Sequence, residues 1–329
     1  MNGTNRLSRS HETRTRSSVA IGNRRAELTA KMEYLHRPTQ EADFWPAPAA
    51  QVLGGYDLHR PAHGTWLGIT RQGRIAVLTN YREENEALVQ GARSRGLIPN
   101  AWLKSDPKAQ ESTEQFEKRM IEEDGVKGVG GFSLLYGFAQ DVVKGTGKGL
   151  GIISNRTPDV HGVIHLASQP GETHALSNAA YGDRTWPKVV NGEKWTNEAI
   201  AKSSESGETR EQLVERLLDV LSADTMPKQK ENEEWDMYMN QLRHTIFVPS
   251  IGRDDLEELK MPAHEIGDTV KQKAAHATDG VYGTQKNIII LVDKQGKVFF
   301  FERTLYDRDA KPIEKGKGDR RFEFEIEGW

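Results

Sequence analysis

Two hairpin signatures, one toward each end of the chain, restrict the fold more than any other feature. In the first, residues 65–70 (TWLGIT) and 75–79 (IAVLT) flank the polar turn Arg71-Gln-Gly-Arg74. In the second, residues 287–292 and 298–302 flank Asp293-Lys-Gln-Gly-Lys297, and residues 321–326 (RFEFEI) alternate as a further strand. Connections this short join antiparallel strands, because a parallel pair needs a crossover of a dozen residues or more. Between the hairpins, residues 132–138, 150–154, 163–167, 174–177 and 245–248 also read as strands. Residues 111–123 read as a helix, with Ser112 and Gln115 in capping-box register and Phe116, Met120 and Ile121 on one face. Residues 186–223 are the main helical region, where Leu213, Val214, Leu217, Leu218 and Leu221 form one stripe. Pro46–Pro48, Gly54-Gly55 and residues 96–99 read as turns. Strand-rich ends around a helical middle predict an α+β protein on antiparallel sheets.

At 329 residues, residues 32–329 read as one domain with charged insertions near 223–243 and 250–280. No run approaches the roughly 18 to 20 apolar residues that a membrane span needs, so no transmembrane segment is expected. With no cysteine, the chain has no disulfide scaffold, thiolate metal site or cysteine nucleophile within it. Residues 1–31 carry seven Arg or Lys against Glu12 and Glu27, a net of +5, while the remainder holds 38 basic and 46 acidic residues, a net of -8. A body of that sign repels phosphate backbones, so nucleic acid is excluded as a partner. The basic first segment has the composition of an organelle transit peptide but no apolar helical face, and it also reads as a disordered tail.

Few constellations carry chemistry. The loop Lys144-Gly-Thr-Gly-Lys-Gly149 lacks the spacing of a phosphate-binding loop and leads into a strand, so it reads as a solvated connection. His59 with His63 and His161 with His165 stand four apart, but Pro61 forbids a helix at the first pair. The second pair falls in a β pattern with no third ligand, so no metal site and no cofactor is expected. Val77-Leu-Thr-Asn80 and Ala175-Leu-Ser-Asn178 each end an apolar strand in a hydroxyl residue and an Asn. An Asn amide held there can stabilise a developing oxyanion, and the same pattern describes an Asn that caps a turn.

An ordered set of segments runs through the chain: Glu33-Tyr-Leu-His-Arg-Pro38, Ala42-Asp-Phe-Trp45, Leu53-Gly-Gly-Tyr-Asp57, Gly64-Thr-Trp-Leu-Gly-Ile69 and Gly73-Arg-Ile-Ala-Val-Leu-Thr-Asn80. It continues with Gly131-Phe-Ser-Leu-Leu-Tyr136, His174-Ala-Leu-Ser-Asn178, Trp186-Pro-Lys188 and Tyr282-Gly-Thr284, covering 33–329 apart from the insertions. Together these segments resemble the NRDE-motif family of Transport and Golgi organisation proteins, which is similar to N-terminal-nucleophile hydrolases. The resemblance implies an αββα four-layer sandwich of two antiparallel sheets. It also makes Asn80 and Asn178 candidate oxyanion or ligand donors across a cleft, with Trp66 in the wall and Glu33, Arg37 and Asp57 at the rim. Gln285, beside Lys286, stands where the family usually carries Arg.

Hydrolysis in that superfamily needs an N-terminal Cys, Ser or Thr, and the family's Asn-Arg-Asp-Glu reads here as Ala30-Lys-Met-Glu33. The resemblance therefore implies a non-catalytic member in protein secretion and Golgi organisation. Its partner would be a small-molecule cargo, haem or lipid-derived, handled in the cytoplasm, at the Golgi or in mitochondria. The alternative is an amidohydrolase whose N-terminal Cys is missing from this sequence, through a mistaken gene model. Residues 1–31 average one charge in about three positions, and burying Arg14, Arg16, Arg24 or Arg25 unpaired costs several kcal/mol each. They are therefore expected to supply no strand and to leave a strand-wide gap beside the two Asn-ended strands.

Overall fold

The computed structural model describes residues 39–58, 61–81, 93–123, 125–126, 128–230, 233, 237–238, 240–250, 283–307 and 311–329, with 19–22 and 27–34 as backbone. Strands β1 (Val19–Gly22), β2 (Glu27–Tyr34), β10 (Thr173–Leu176), β11 (Thr284–Val292), β12 (Lys297–Thr304) and β13 (Asp319–Glu325) form a six-stranded sheet in the order β10-β1-β2-β11-β12-β13. Strands β3 (Asp43–Phe44), β4 (Val52–Gly54), β5 (Leu67–Thr70), β6 (Arg74–Asn80), β7 (Phe132–Phe138), β8 (Leu150–Ser154) and β9 (Ile164–Leu166) form a seven-stranded sheet in sequence order. The pairings are antiparallel throughout both sheets. Both predicted hairpins are present, the first as β5–β6 and the second as β11–β12.

Alternation along the strands builds the layers. On β6, Ile75 and Val77 enter the core between the sheets, while Ala76 and Leu78 face the opposite way. On β11 and β12, Ile288, Ile290, Val298 and Phe300 enter the same inner core, and Ile289, Leu291, Phe299 and Phe301 face outward. Helix α1 (Leu97–Leu103) and helix α2 (Thr113–Glu122) cover the outer face of the seven-stranded sheet through Trp102, Phe116 and Met120. Helices α4 (Pro187–Glu205) and α5 (Arg210–Leu221) cover the other sheet through Ala199, Leu213, Leu217 and Leu221. A short helix α3 (Ala139–Val143) follows β7. The result is the four-layer αββα sandwich. Helix α2 has the full capping box, Ser112 accepting from Gln115 and Gln115 reaching back to Ser112.

Three expectations are corrected. Residues 19–22 and 27–31 do supply strands, and β1 and β2 fill the place between β10 and β11, so no gap stands there. The average charge of 1–31 concealed two short local signals. Val19-Ala-Ile21 is apolar, and Leu28, Ala30, Met32 and Tyr34 alternate with polar residues, the period that pairs a strand. Residues 1–18 and 23–26, with the arginines named above, lie outside the described residues. Residues 245–248 join no ladder. The Thr245 hydroxyl donates to the main-chain carbonyl of Phe247, and Val248 pairs with Thr284, the local competition by which Thr diverts a backbone from a sheet. Residues 97–103 form a helix rather than a turn, because Pro99 falls in its first turn, where a missing N–H costs nothing.

Phe300→Ala, at 0% exposure between the sheets, is expected to cost about 3–5 kcal/mol in urea unfolding, whereas Ile164→Thr on the surface stays within about 0.5. The Glu114 carboxyl is drawn from 4.5 to about 2 by its own backbone N–H and the Ser112 hydroxyl. A depressed folded-state value means its contribution is complete above about pH 5 and fades as pH falls toward 2. Glu114→Gln should flatten that part of the stability-against-pH curve.

Candidate functional site

The strand registers bring one set of strand ends to a common edge of the sandwich. Asn80 closes β6 opposite Phe132, and in the other sheet Lys286 lies opposite both Glu33 and Thr304. Asn178 stands two residues beyond β10 at that same end. Its Nδ2 donates to the main-chain carbonyl of Asn80 at 2.7 Å, and the two residues are only 1% and 5% exposed. The two Asn residues thus meet across the sheets, but as side chain to main chain rather than as two converging amides. Beside them Thr79, in phase with Ile75 and Val77 on the inner face, is wholly buried. Its hydroxyl has no hydrogen-bond partner among the described residues.

A second polar group occupies the other half of this end. Lys286 Nζ lies 3.6 Å from Glu302 Oε1 and donates to the Gln40 carbonyl at 3.2 Å. Glu302 Oε1 also accepts from the Ala42 N–H at 3.0 Å, and both charged side chains are 1–2% exposed. Thr39, bridged to Asp57, donates a long 3.5 Å hydrogen bond to Gln285. Gln285 stands at a register shift between Thr284 and Lys286, a bulge that re-aims the strand. Asn178 belongs to the β10 side and Lys286 to β11, with β1 and β2 between. Three strand spacings put the groups about 14 Å apart. They are therefore separate.

The sequence-derived residues are placed unevenly. Asp57, Gln285 and Lys286 share the second group, and the backbone of Glu33 lies opposite Lys286 in the ladder. Arg37 lies outside the described residues. Trp66 does not wall the space between the sheets: it packs with Trp45, Leu78 and Trp102 under the helices, because its strand phase is opposite to Leu67 and Ile69. His161 sits in the turn Val160–Gly162 and only His165 is on a strand, so that pair shares no strand face. Among the described residues no group of three His, Asp or Glu is disposed to hold a metal ion.

Glu302 and Lys188 are among several buried charges that the sequence reading did not single out. Glu302 was legible in phase, since it follows Val298 and Phe300 onto the inner face. Lys188, 2% exposed, sits in the first turn of α4, where the helix dipole disfavours a cation.

A family model described as Transport and Golgi organisation 2 matches residues 29–307. The mouse Transport and Golgi organization 2 homolog is 32% identical over 279 residues, 84% of this chain and 85% of the mouse protein. The chain belongs to the Transport and Golgi organisation 2 family. The human homolog is 31% identical over 297 residues, 90% of each chain. Among solved structures the chain is similar to penicillin V acylase from Agrobacterium tumefaciens, at 11% identity and a TM-score of 0.31, covering 97% of this chain and 81% of that one. The family match takes in most of β2 and every described element from β3 to β12, and with them both polar groups.

Removing one partner of a buried ion pair strands the other charge. Lys286→Met or Glu302→Gln is each expected to cost about 3–5 kcal/mol in urea unfolding. The double change Lys286→Met/Glu302→Leu should cost clearly less than the two single costs combined.

Proposed function

We propose that the protein serves protein secretion and Golgi organisation, a reading supported by the transport and Golgi organisation named in its mouse, human and cattle relatives. In this reading it holds a small cargo molecule without transforming it. The observation that carries the cargo reading is the 2.7 Å hydrogen bond from Asn178 to the Asn80 carbonyl. It joins the sheets where the inner layer changes from aliphatic side chains to Thr79 and its polar neighbours. The cargo in this reading is haem or a lipid-derived molecule, with its polar part at that end and its apolar part against the aliphatic layer. The 329 residues contain no cysteine, so thiolate attack on an amide is not open to them. No helix among the described residues is long and apolar enough to cross a membrane, and the proposed place of action is the cytoplasm, at the Golgi or at mitochondria.

Native mass spectrometry of the protein purified from its host tests this reading. A bound mass released on denaturation is expected, with lower occupancy in Asn178→Ala and no change in Lys194→Ala on the exposed side of α4. Haemin and palmitate, titrated into the purified protein, distinguish the two cargo classes. A bare polypeptide that binds neither probe would overturn the cargo reading, and turnover of acyl-amides by this cysteine-free chain would overturn the non-catalytic one. In cells lacking the protein, wild type but not Asn178→Ala should restore secretion of a reporter.

A further inference from the structure

Around β10 lies a hydrogen-bonded chain that the proposed site does not itself contain. Tyr181 Oη is 2.8 Å from His174 Nδ1, and His174 Nε2 is 2.9 Å from Glu172 Oε2. The carboxylate decides the tautomer. An ionised Glu172 accepts only from an Nε2 that carries the proton, so Nδ1 is the acceptor and the Tyr181 hydroxyl is the donor. The Ala167 N–H, at 3.3 Å from the same Nε2, donates to it only in the other tautomer, and this longer contact is given up for the 2.9 Å bond to Glu172.

A hydroxyl, an imidazole and a carboxylate in line also describe an activated nucleophile. Burial argues against that use here. It raises the Tyr181 phenol above its ordinary value, with Glu193 and Glu172 adding to the effect, so the hydroxyl keeps its proton and works as a donor.

Its position gives it a purpose. His174 lies within β10, Tyr181 follows seven residues later, and Asn178 falls within the segment between them. The side-chain hydrogen bond closes that segment into a ring, and Tyr181 packs its flank against the inner core. A second tie holds the base of the ring, where the Ala175 N–H donates to Glu193 of α4 at 3.1 Å. We propose that Glu172, His174 and Tyr181 form a latch that sets Asn178 against the Asn80 carbonyl, which makes His174 and Tyr181 positioning residues of the site. The latch rests on the reading of Asn80 and Asn178 as the cargo site.

Substitution separates the two ring nitrogens. His174→Asn places an amide oxygen near the Nδ1 position and keeps an acceptor for Tyr181. His174→Gln reaches the Nε2 position, keeps a partner for Glu172 and leaves Tyr181 without an acceptor. The readout is proton exchange of the Asn178 side-chain amide in the 15N-labelled full chain, its signals identified by their loss in Asn178→Asp. Tyr181→Phe and His174→Gln should speed that exchange about fivefold, the worth of one neutral hydrogen bond, and His174→Asn should stay close to wild type. Unchanged exchange in Tyr181→Phe, or equal behaviour of the Asn and Gln variants, overturns the latch. Urea unfolding in parallel identifies any variant that fails to fold, and Tyr181→Phe, which keeps the packed ring, then decides the matter. The measurement needs no ligand, so a failed latch and an absent cargo are read separately.

Discussion

The central strands of this protein are covered on both faces, and that single constraint organises the sandwich. A strand exposed on one side alternates buried with exposed residues, but β6, β7, β11 and β12 are buried along almost their whole length. Each sends one residue into the space between the sheets and the next under a helix layer, so neither sheet is stable without both neighbours. Helices α1 and α2 on one side, and α4 and α5 on the other, are therefore structural requirements of the strands, and their amphipathic stripes are the complement of the outward residues. Hydrophobic burial is non-directional, however, and does not by itself fix how one sheet is rotated or shifted over the other.

Directional contacts supply that missing specification: the Glu327 N–H and the Gln72 amide join the sheets at the β5–β6 turn, and two further sets stand at the opposite end. Asn178 reaches the Asn80 carbonyl on one flank. On the other, the Lys286–Glu302 pair is tied to the main chain at Gln40 and Ala42. Aromatic and ionic contacts continue along that flank, with Phe44 against Phe322 and Phe324 and Arg320 reaching Glu41 and Asp43. A buried pair of charges adds little net stability against an apolar replacement. Its effect here is geometric, since the pair is satisfied in one stacking of the sheets and costs several kcal/mol in any other that strands a charge. A polar end fixed in this way is also a rigid platform, which a ligand site needs more than it needs area.

Elements with a strong local period were legible in the sequence, and those governed by context were not. Strands β7 and β8 followed from short apolar runs, and the capped helix α2 from its apolar face and from Ser112 with Gln115. Helix α1 was hidden because Pro99 signals a break everywhere except in a first turn. Strands β1 and β2 were hidden because charge averaged over 31 residues outweighed an eight-residue alternation within them. The site shows the same division. Two Asn residues at matching strand ends were readable as a pair. Their mode of contact was not, because only the stacking of the sheets decides whether an amide meets another amide or a carbonyl. Glu302 and Lys188 were missed for a related reason: charges are presumed to be solvated, and only packing shows that these two are not.

Sheet edges give the segment after β9 a second role. An exposed edge invites pairing with another chain unless it is short, charged or covered. The seven-stranded sheet ends in β3 and β9, of two and three residues, and β13 carries Arg320, Arg321 and Glu323. The edge strand β10, of four residues, carries no Arg, Lys, Asp or Glu. It is shielded by Glu193, which accepts from the Ala175 N–H, and by the turn that brings Tyr181 back to His174. The residues that position Asn178 are thus the ones that close the flank where β9 and β10 end their sheets. Sequence change at His174 or Tyr181 acts on the site and on the exposed edge at once. Loosening the latch uncovers backbone donors as well as displacing the amide.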